Sequence, residues 1–243
     1  MRNFEFLAAA CAFAFCFASY NESLHSSYDV QAFSFSESDT ILKQTEHGGV
    51  EYLNKIIFLG DSRTYGLKSF GMLEGGQKTT QVWTPKNGTM SIWDMQYQKI
   101  VYPDTGIEMT CADAAALKQP EIILISLGFN GFDIVEKDYF IFEYTKLIES
   151  IKAASPDTKI ILQSMFPVRH DYSLTANERI KIGNEWIFET AQKNYAKFLN
   201  TSEVLSDKDG FLLEEYTTDG CHLTPLGLDV QIEYVCTHMI GDS

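Results

Sequence analysis

The amino-acid sequence predicts a doubly wound α/β fold, in which helices cover both faces of a parallel sheet. Residues 56–59, 122–127 and 160–162 are short apolar runs without alternation, which is typical of strands buried on both faces. Residues 79–83 are a candidate for one more strand, whereas residues 84–120 carry no clear pattern. Helical patterns follow these runs, and strands that alternate with helices favour right-handed crossovers between parallel neighbours.

The helices are predicted from apolar residues that recur on one face. Residues 138–154 carry such a stripe, and Ser155 and Pro156 end it. A second helix is expected over about residues 177–199, and a last one over about residues 224–240. These helices complete the alternating pattern that the fold class requires.

The chain of 243 residues divides into three parts. Residues 1–18 are expected to be a secretory signal peptide, because residues 6–18 form an uncharged run that is too short to span ~30 Å of hydrocarbon. A buried N-terminal helix is the alternative. Residues 19–49 form a serine-rich leader, and residues 50–243 are long enough for one domain with a single core. We therefore expect a secreted, cell-surface or periplasmic protein.

Charge and motif content argue against several functional classes. The formal net charge is −14, and an acidic surface repels phosphate backbones, so we do not expect a nucleic-acid partner. No basic cluster predicts attraction to an anionic membrane, and we expect no stable membrane insertion. The dinucleotide, P-loop and zinc-protease motifs are missing and the five histidines are scattered, so neither a cofactor nor a metal is expected.

Three cysteines, Cys111, Cys221 and Cys236, lie beyond the expected signal peptide. An odd number cannot pair completely within one chain, and no CxxC spacing is present. A disulfide framework is therefore not predicted, although a single bridge such as Cys221–Cys236 remains open.

Two segments carry side chains that suit nucleophilic chemistry. In an open α/β sheet, ligands bind beyond the carboxyl ends of the strands, and Ser62 follows the first apolar run in a Gly-Asp-Ser turn. Asp219 lies three residues before His222 near the C-terminus, so that one loop supplies both side chains. These are the parts of an activated hydroxyl nucleophile, in which His222 would take the Ser62 proton and Asp219 would hold the histidine tautomer.

Three groups are candidates to stabilise the oxyanion that forms when such a nucleophile attacks an ester. They are the Ser62 backbone N–H at a helix start, the Asn130 side chain after the second strand and the Gly88 backbone N–H. Each such donor can contribute ~3–4 kcal/mol of transition-state stabilisation.

Each of these residues, taken alone, has a simpler structural role. Ser62 and Asp219 suit helix or turn caps, and Asn130 and Gly88 suit turns. A single histidine such as His222 is more often an ordinary surface or core residue. Their combination, in this order and at the ends of predicted strands, favours the catalytic interpretation.

These segments resemble the four sequence blocks of the SGNH/GDSL hydrolase family. The blocks are Gly-Asp-Ser after the first strand, a glycine, Gly-x-Asn, and Asp-x-x-His near the C-terminus. Here they correspond to residues 60–62, Gly88, residues 128–130 and residues 219–222, and the resemblance runs from about residue 55 to the C-terminus. The Gly-Asp-Ser-Arg-Thr form differs from the commoner Gly-Asp-Ser-Leu and is similar to a subgroup of bacterial secreted or surface proteins. For the second block, Gly88 competes with other glycines, namely Gly71, Gly75, Gly76 and Gly106.

The resemblance implies a three-layer α/β/α sandwich of flavodoxin-like type and ester hydrolysis without a metal. Ser62 would be the nucleophile, His222 the base and Asp219 the residue that orients it. Ser62, Gly88 and Asn130 would form the oxyanion hole. Substrates of the family include acetylated glycans, lipids, thioesters and small aryl esters, so a small-molecule or glycan ester is the expected partner.

Two questions stay open from the sequence. Arg63, Phe129 and Trp83 are candidates to line the substrate pocket, with a surface salt bridge as the alternative for Arg63 and the core for the two aromatic residues. The same triad would also serve an O-acyltransferase, and a non-catalytic carbohydrate-binding protein on this fold is a further alternative. A chance motif would leave Ser62 and His222 far apart.

Overall fold

The computed structural model describes residues 38–173 and 176–241, so the expected signal peptide and residues 19–37 of the leader lie outside the described residues. The strands are β1 (Ile56–Gly60), β2 (Val82–Trp83), β3 (Lys99–Val101), β4 (Glu108–Thr110), β5 (Ile122–Ser126), β6 (Lys159–Gln163) and β7 (Lys197–Leu199). The helices are α1 (Gly49–Leu53), α2 (Ser62–Ser69), α3 (Cys111–Lys118), α4 (Lys137–Ala154), α5 (Ala176–Lys193), α6 (Ser202–Leu205) and α7 (Pro225–Cys236). Short 3₁₀ turns lie at Gly76–Lys78, Met95–Tyr97, Phe132–Ile134 and Glu214–Tyr216.

Within these residues, a five-stranded sheet runs in the order β2-β1-β5-β6-β7, and every neighbouring pair is parallel. The predicted strands at 56–59, 122–127 and 160–162 are confirmed as β1, β5 and β6, and the candidate strand at 79–83 contains β2. The remaining two strands, β3 and β4, form a separate antiparallel pair. Both lie in the stretch where the sequence shows no pattern, since three-residue strands are too short to display one.

The sheet is the middle of three layers, because side chains of successive residues point to opposite faces. Ile57 and Ile123 pack on one face with α3, α4 and α5. Ile56 and Ile122 pack on the other face with α1, α2 and α7. The predicted α/β/α sandwich is therefore confirmed, and the buried runs are apolar throughout because both faces are covered.

The predicted helix over residues 177–199 is wrong at its C-terminal end. Phe198 lies seven positions after Ala191, or about two helical turns, so the spacing alone suits one continuous helical face. In the structure α5 ends at Lys193, and Tyr195 adopts the left-handed region with φ 53°, which a helix does not continue. Phe198 then belongs to β7, where it pairs with Leu162. The last helix is also shorter than expected, since α7 ends at Cys236.

Part of the expected leader packs against the edge of the sheet. The N–H of Leu42 donates to the Phe198 carbonyl at 2.9 Å, and the N–H of Phe198 donates to the Thr40 carbonyl at 2.8 Å. Leu42 is itself buried. Residues before the expected boundary at 50 therefore cover edge strand β7, which would otherwise expose unpaired backbone groups.

The cysteines Cys111, Cys221 and Cys236 are free thiols and all are buried. Cys221 packs in the core on one face of the sheet and Cys236 in the core on the other. The bridge between them that the sequence left open is therefore not formed. Burial raises the pKa of Cys111 to about 12 and that of Cys221 to about 11.

The described part of the chain contains no helix with the length and apolar character needed to cross a bilayer.

Candidate active site

The site begins at a tight turn from β1 into α2. Asp61 is the N-cap of α2, and its Oδ1 accepts the backbone N–H of Arg63 at 3.0 Å, so Ser62 is the first residue of the helix. A side chain at Gly60 would lie 2.0 Å from Thr64 Oγ1 and 2.8 Å from the Ser126 carbonyl, so only glycine fits there. The turn places the Ser62 side chain at the carboxyl edge of the sheet, where α/β folds bind ligands.

Ser62 and His222 meet although 160 positions separate them in the chain. Ser62 Oγ lies 3.0 Å from His222 Nε2, and His222 Nδ1 lies 2.8 Å from Asp219 Oδ2. A carboxylate only accepts, so Nδ1 carries the proton and Nε2 is free to accept the Ser62 hydroxyl proton. The three side chains predicted from the sequence thus form one continuous hydrogen-bonded chain, and they are not scattered as a chance motif would leave them.

Asp219 is fixed by its own loop as well as by the histidine. Its Oδ1 accepts the backbone N–H of Cys221 at 2.9 Å and that of His222 at 2.8 Å. Gly220 has φ +86°, and its N–H donates to Thr217 Oγ1 at 2.9 Å. Partial burial alone would raise the pKa of Asp219, but the hydrogen bonds from His222 and Cys221 outweigh it and hold the pKa well below its usual value. Asp219 is therefore ionised at neutral pH.

Asn130 contacts Asp61 directly. Its Nδ2 donates to Asp61 Oδ2 at 2.7 Å, and the adjacent Gly131 has φ +96°, which lets the chain turn there. An asparagine amide carries two N–H groups, so one hydrogen bond to Asp61 orients the amide and leaves the second N–H for a ligand.

Asp61 is the site residue whose separate role the sequence interpretation missed. It is 1% exposed, caps α2 with one oxygen and holds Asn130 with the other. Burial raises the pKa of Asp61, and the N–H and charge of Arg63, the charge of His222 and the Asn130 amide offset part of that rise. The sequence does signal the capping role, because an aspartate immediately before a helix-starting serine is a typical N-cap. The contact of Asp61 with Asn130 depends on the tertiary structure.

Gly88 lies beside Ser62, as the family pattern implies. A Cβ at Gly88 would be 3.6 Å from Ser62 Cβ, and its φ of +75° favours glycine. Ser62 is not among the atoms nearest to a Cβ built at any of the competing glycines, which are Gly71, Gly75, Gly76 and Gly106. The Gly88 N–H, however, donates to the Pro85 carbonyl at 3.0 Å. In this arrangement the Gly88 N–H belongs to a residue close to Ser62 but is already engaged by Pro85.

Arg63 is buried behind the site, and the half-buried Phe129 packs against it. Arg63 is 5% exposed, and its guanidinium lies 4.3 Å from the Phe129 ring centroid and 3.6 Å from that of Phe166. A small cavity of about 10 Å³, which is room for roughly one water molecule, is bordered by Asp61, Arg63, Phe129 and Phe166. The surface salt bridge considered for Arg63 is therefore not its role.

Trp83 is a core residue. It is fully buried and packs edge-on against Tyr102 with 6.1 Å between ring centroids. Its indole N–H has no hydrogen-bond partner among residues 38–173 and 176–241. The core alternative weighed from the sequence thus describes its position.

A cleft of about 530 Å³ opens next to the turn that carries Gly88. Asn87 and Thr89, which flank Gly88 in the chain, form part of its wall. The lining combines amides, a hydroxyl and charges of both signs, from Pro85, Lys86, Asn87, Thr89, Gln98, Lys99 and Glu108. Such a wall offers hydrogen bonds to a polar ligand. The portion of the chain with described coordinates has no group of three or more His, Cys, Asp or Glu placed to hold a metal ion.

Comparison with known proteins identifies similar sequences and folds. Residues 58–230 match the model of the GDSL-like Lipase/Acylhydrolase family, a range that includes every residue of the site. No curated protein matches the chain.

Solved structures with the same fold come from several bacteria. A candidate platelet activating factor from Streptococcus pneumonia is 21% identical, with a TM-score of 0.51, and the match covers 74% of this chain and 81% of the other. A candidate lipolytic protein of the G-D-S-L family from Desulfitobacterium hafniense is 20% identical, with a TM-score of 0.51 and coverage of 74% and 95%. A candidate GDSL-like lipase from Parabacteroides merdae is 12% identical, with a TM-score of 0.52 and coverage of 74% and 92%. At these identities the likeness concerns the fold.

Proposed function

This chain belongs to the GDSL-like lipase/acylhydrolase family, and we propose that it is a serine esterase that removes small acyl groups, such as O-acetyl groups, from a polar alcohol or glycan. The observation that carries the proposal is the continuous hydrogen-bonded chain from Ser62 through His222 to Asp219, with distances of 3.0 and 2.8 Å. A serine linked in this way to a histidine and a carboxylate is the arrangement that activates a hydroxyl nucleophile.

The proposed reaction has two steps. First, Ser62 Oγ attacks the ester carbonyl carbon while His222 Nε2 takes its proton, and Asp219 stabilises the resulting imidazolium. The tetrahedral intermediate collapses, His222 returns the proton to the leaving alcohol, and an acyl-serine remains. Second, His222 takes a proton from water, the hydroxide attacks the acyl-serine, and the carboxylic acid leaves as Ser62 regains its proton.

The negative charge on the tetrahedral intermediate needs donors close to Ser62. The N–H groups of the first helical turn have no partner inside the helix, so the Ser62 N–H at the start of α2 is suited to this role. The second N–H of Asn130 is the next candidate, because Asp61 holds only one. The Gly88 N–H can join them only if it leaves the Pro85 carbonyl.

The cleft beside Gly88 supports a polar leaving group. Its lining includes the hydrogen-bonding side chains of Asn87, Thr89 and Gln98, and sugar hydroxyls can exchange hydrogen bonds with such groups. A long acyl chain would need an apolar channel of the kind that buries methylene groups at about 0.8 kcal/mol each, and the cavity bordered by Arg63 and Phe129, at about 10 Å³, is too small to hold one. We therefore expect acetyl esters to be better substrates than octanoyl esters.

The test is hydrolysis of p-nitrophenyl acetate, butyrate and octanoate by the purified protein, compared with Ser62→Ala. A matched control is Ser69→Ala, because Ser69 lies at the other end of the same helix and its hydroxyl donates to the Gly66 carbonyl. We expect activity that declines with chain length, is abolished in Ser62→Ala and is unchanged in Ser69→Ala. Equal activity in the wild type and Ser62→Ala would remove Ser62 from the mechanism.

A serine-reactive fluorophosphonate distinguishes the alternatives if no simple ester is cleaved. Labelling of Ser62 without hydrolysis would favour an O-acyltransferase, which product analysis with and without an acceptor glycan can identify. The absence of both labelling and hydrolysis would favour a carbohydrate-binding protein.

A further inference from the structure

We propose that Arg63 is a positioning residue that fixes the relative positions of three segments of the site, which carry Ser62, Asn130 and His222. The inference rests on the proposed function, since these segments are the ones that the esterase mechanism uses. Arg63 touches no reacting atom in this structure. Its effect would pass through the backbone and aromatic groups that it contacts.

The hydrogen bonds of Arg63 join two loops from distant parts of the chain. Its Nε donates to the Cys221 carbonyl at 3.2 Å, and its Nη2 donates to the carbonyls of Phe166 at 3.0 Å and Pro167 at 3.2 Å. The first loop precedes α7 and the second follows β6. A single buried side chain therefore links α2 to both loops.

In each site segment, the link to Arg63 involves the residue next to the functional side chain. Arg63 itself follows Ser62, and the carbonyl that it binds in the C-terminal loop belongs to Cys221, directly before His222. The Phe129 ring that covers the guanidinium belongs to the residue before Asn130. The guanidinium thus lies at a common centre behind the nucleophile, the base and a candidate oxyanion donor.

The chemistry of this position suits arginine in particular. A guanidinium is planar, carries five N–H donors in a fixed fork and stacks on aromatic rings, whereas an ammonium is a compact and strongly hydrated point charge. Here the donors reach three carbonyls, and the guanidinium lies near the rings of Phe129 and Phe166. Lysine would keep the charge but could not reproduce the fork or the stacking, and leucine, the commoner residue after this serine, would keep neither.

The experiment compares Arg63→Lys and Arg63→Met with the wild type in the full chain. The matched control is Gln81→Met, because Gln81 is also buried and donates from Nε2 to two carbonyls, those of Leu53 at 2.8 Å and Ile56 at 2.9 Å. Leu53 ends α1 and Ile56 begins β1, whereas Ser62 follows the end of that strand. The control therefore removes a similar set of hydrogen bonds at the opposite end of strand β1.

For p-nitrophenyl acetate, we expect kcat to fall about 100-fold in both Arg63 variants, since small misplacement of reacting groups has effects of that order. KM should stay unchanged, because Arg63 is buried and its donors are engaged by carbonyls of the chain. Gln81→Met should lower the melting temperature as much as the Arg63 variants but keep the wild-type kcat. The proposal is overturned if Arg63→Lys keeps the wild-type kcat, or if Gln81→Met loses kcat to the same extent.

A second readout does not depend on turnover. Because His222 Nδ1 lies 2.8 Å from Asp219 Oδ2, we expect its proton to give a low-field NMR signal that reports the geometry of the histidine. We expect this signal to shift or disappear in the Arg63 variants and to remain in Gln81→Met. An unchanged signal in Arg63→Lys and Arg63→Met would refute the positioning role. If the wild type hydrolyses no ester, the proposed function fails by itself, and the signal still decides the role of Arg63.

Discussion

The two sides of the candidate site differ in how far their hydrogen bonds are already arranged for catalysis. On the proton-transfer side, Asp219 accepts N–H groups from its own loop and from His222, and His222 already lies 3.0 Å from Ser62 Oγ. On the oxyanion side, the Gly88 N–H donates to Pro85, and one N–H of Asn130 donates to Asp61.

The difference indicates that the two sides are built by different means. On the proton-transfer side, the short loop that carries Asp219 and His222 forms its own hydrogen bonds, so this side is complete without a ligand. The oxyanion side is assembled from turns that belong to three elements, and the Gly88 N–H would have to leave the Pro85 carbonyl to take part. Preorganised donors contribute most when they need no rearrangement, so the Gly88 donor should contribute less than the other two.

The largest expected effect breaks the proton-transfer side. Asp219→Asn should lower kcat by about 10⁴-fold, because an amide favours the wrong histidine tautomer. The measurement is kcat for p-nitrophenyl acetate. Asp207→Asn is the matched control, since Asp207 also accepts two backbone N–H groups in a loop, from Asp209 and Phe211, but holds no histidine. Similar losses in both variants would contradict a specific role for Asp219.

An intermediate effect is expected from the oxyanion side. Asn130→Ala should lower kcat by about 10²–10³-fold, which is the usual loss for one oxyanion donor. Asn54→Ala serves as the control, because Asn54 also donates from its amide to a carboxylate, that of Glu74, on an exposed surface. If kcat is retained in Asn130→Ala, its amide serves only to hold Asp61.

The smallest effect tests whether the Gly88 donor is used at all. Gly88→Ala and Gly106→Ala place a side chain on backbones with nearly equal φ, +75° and +74°, so each should lose about 1–2 kcal/mol of stability. A Cβ at residue 106 would meet nothing within 4 Å, whereas one at residue 88 approaches Ser62. We expect kcat to fall only in Gly88→Ala, by less than in Asn130→Ala. Equal kcat values in the two glycine variants would show that the turn stays closed during catalysis.

The sequence could predict those structural features that are determined by neighbouring residues in the chain. The run before Ser62 and the three-residue spacing from Asp219 to His222 are local patterns, and the strand and the hydrogen-bonded pair follow from them. Phe198 shows the limit, because its spacing suits a helix until Tyr195 is seen to leave the helical region.

The roles of buried polar groups were the least predictable. In the sequence, Arg63 is a candidate for the substrate pocket or for a surface salt bridge, and only the three-dimensional arrangement supplies the carbonyls and rings that accommodate it. The same holds for the second contact of Asp61, since its partner Asn130 is 69 positions away. Long-range partners of this kind are set by topology, which a single sequence does not display.

The position of residues 40–42 has a consequence for how the domain is presented. These residues lie along β7 at one edge of the sheet, whereas the turn that carries Gly88 follows β2 at the other edge. Four strand spacings of about 4.8 Å separate the two edges, or roughly 19 Å. A support that held the chain through residues 40–42 would therefore contact the domain along β7, at the edge of the sheet away from the turn that carries Gly88.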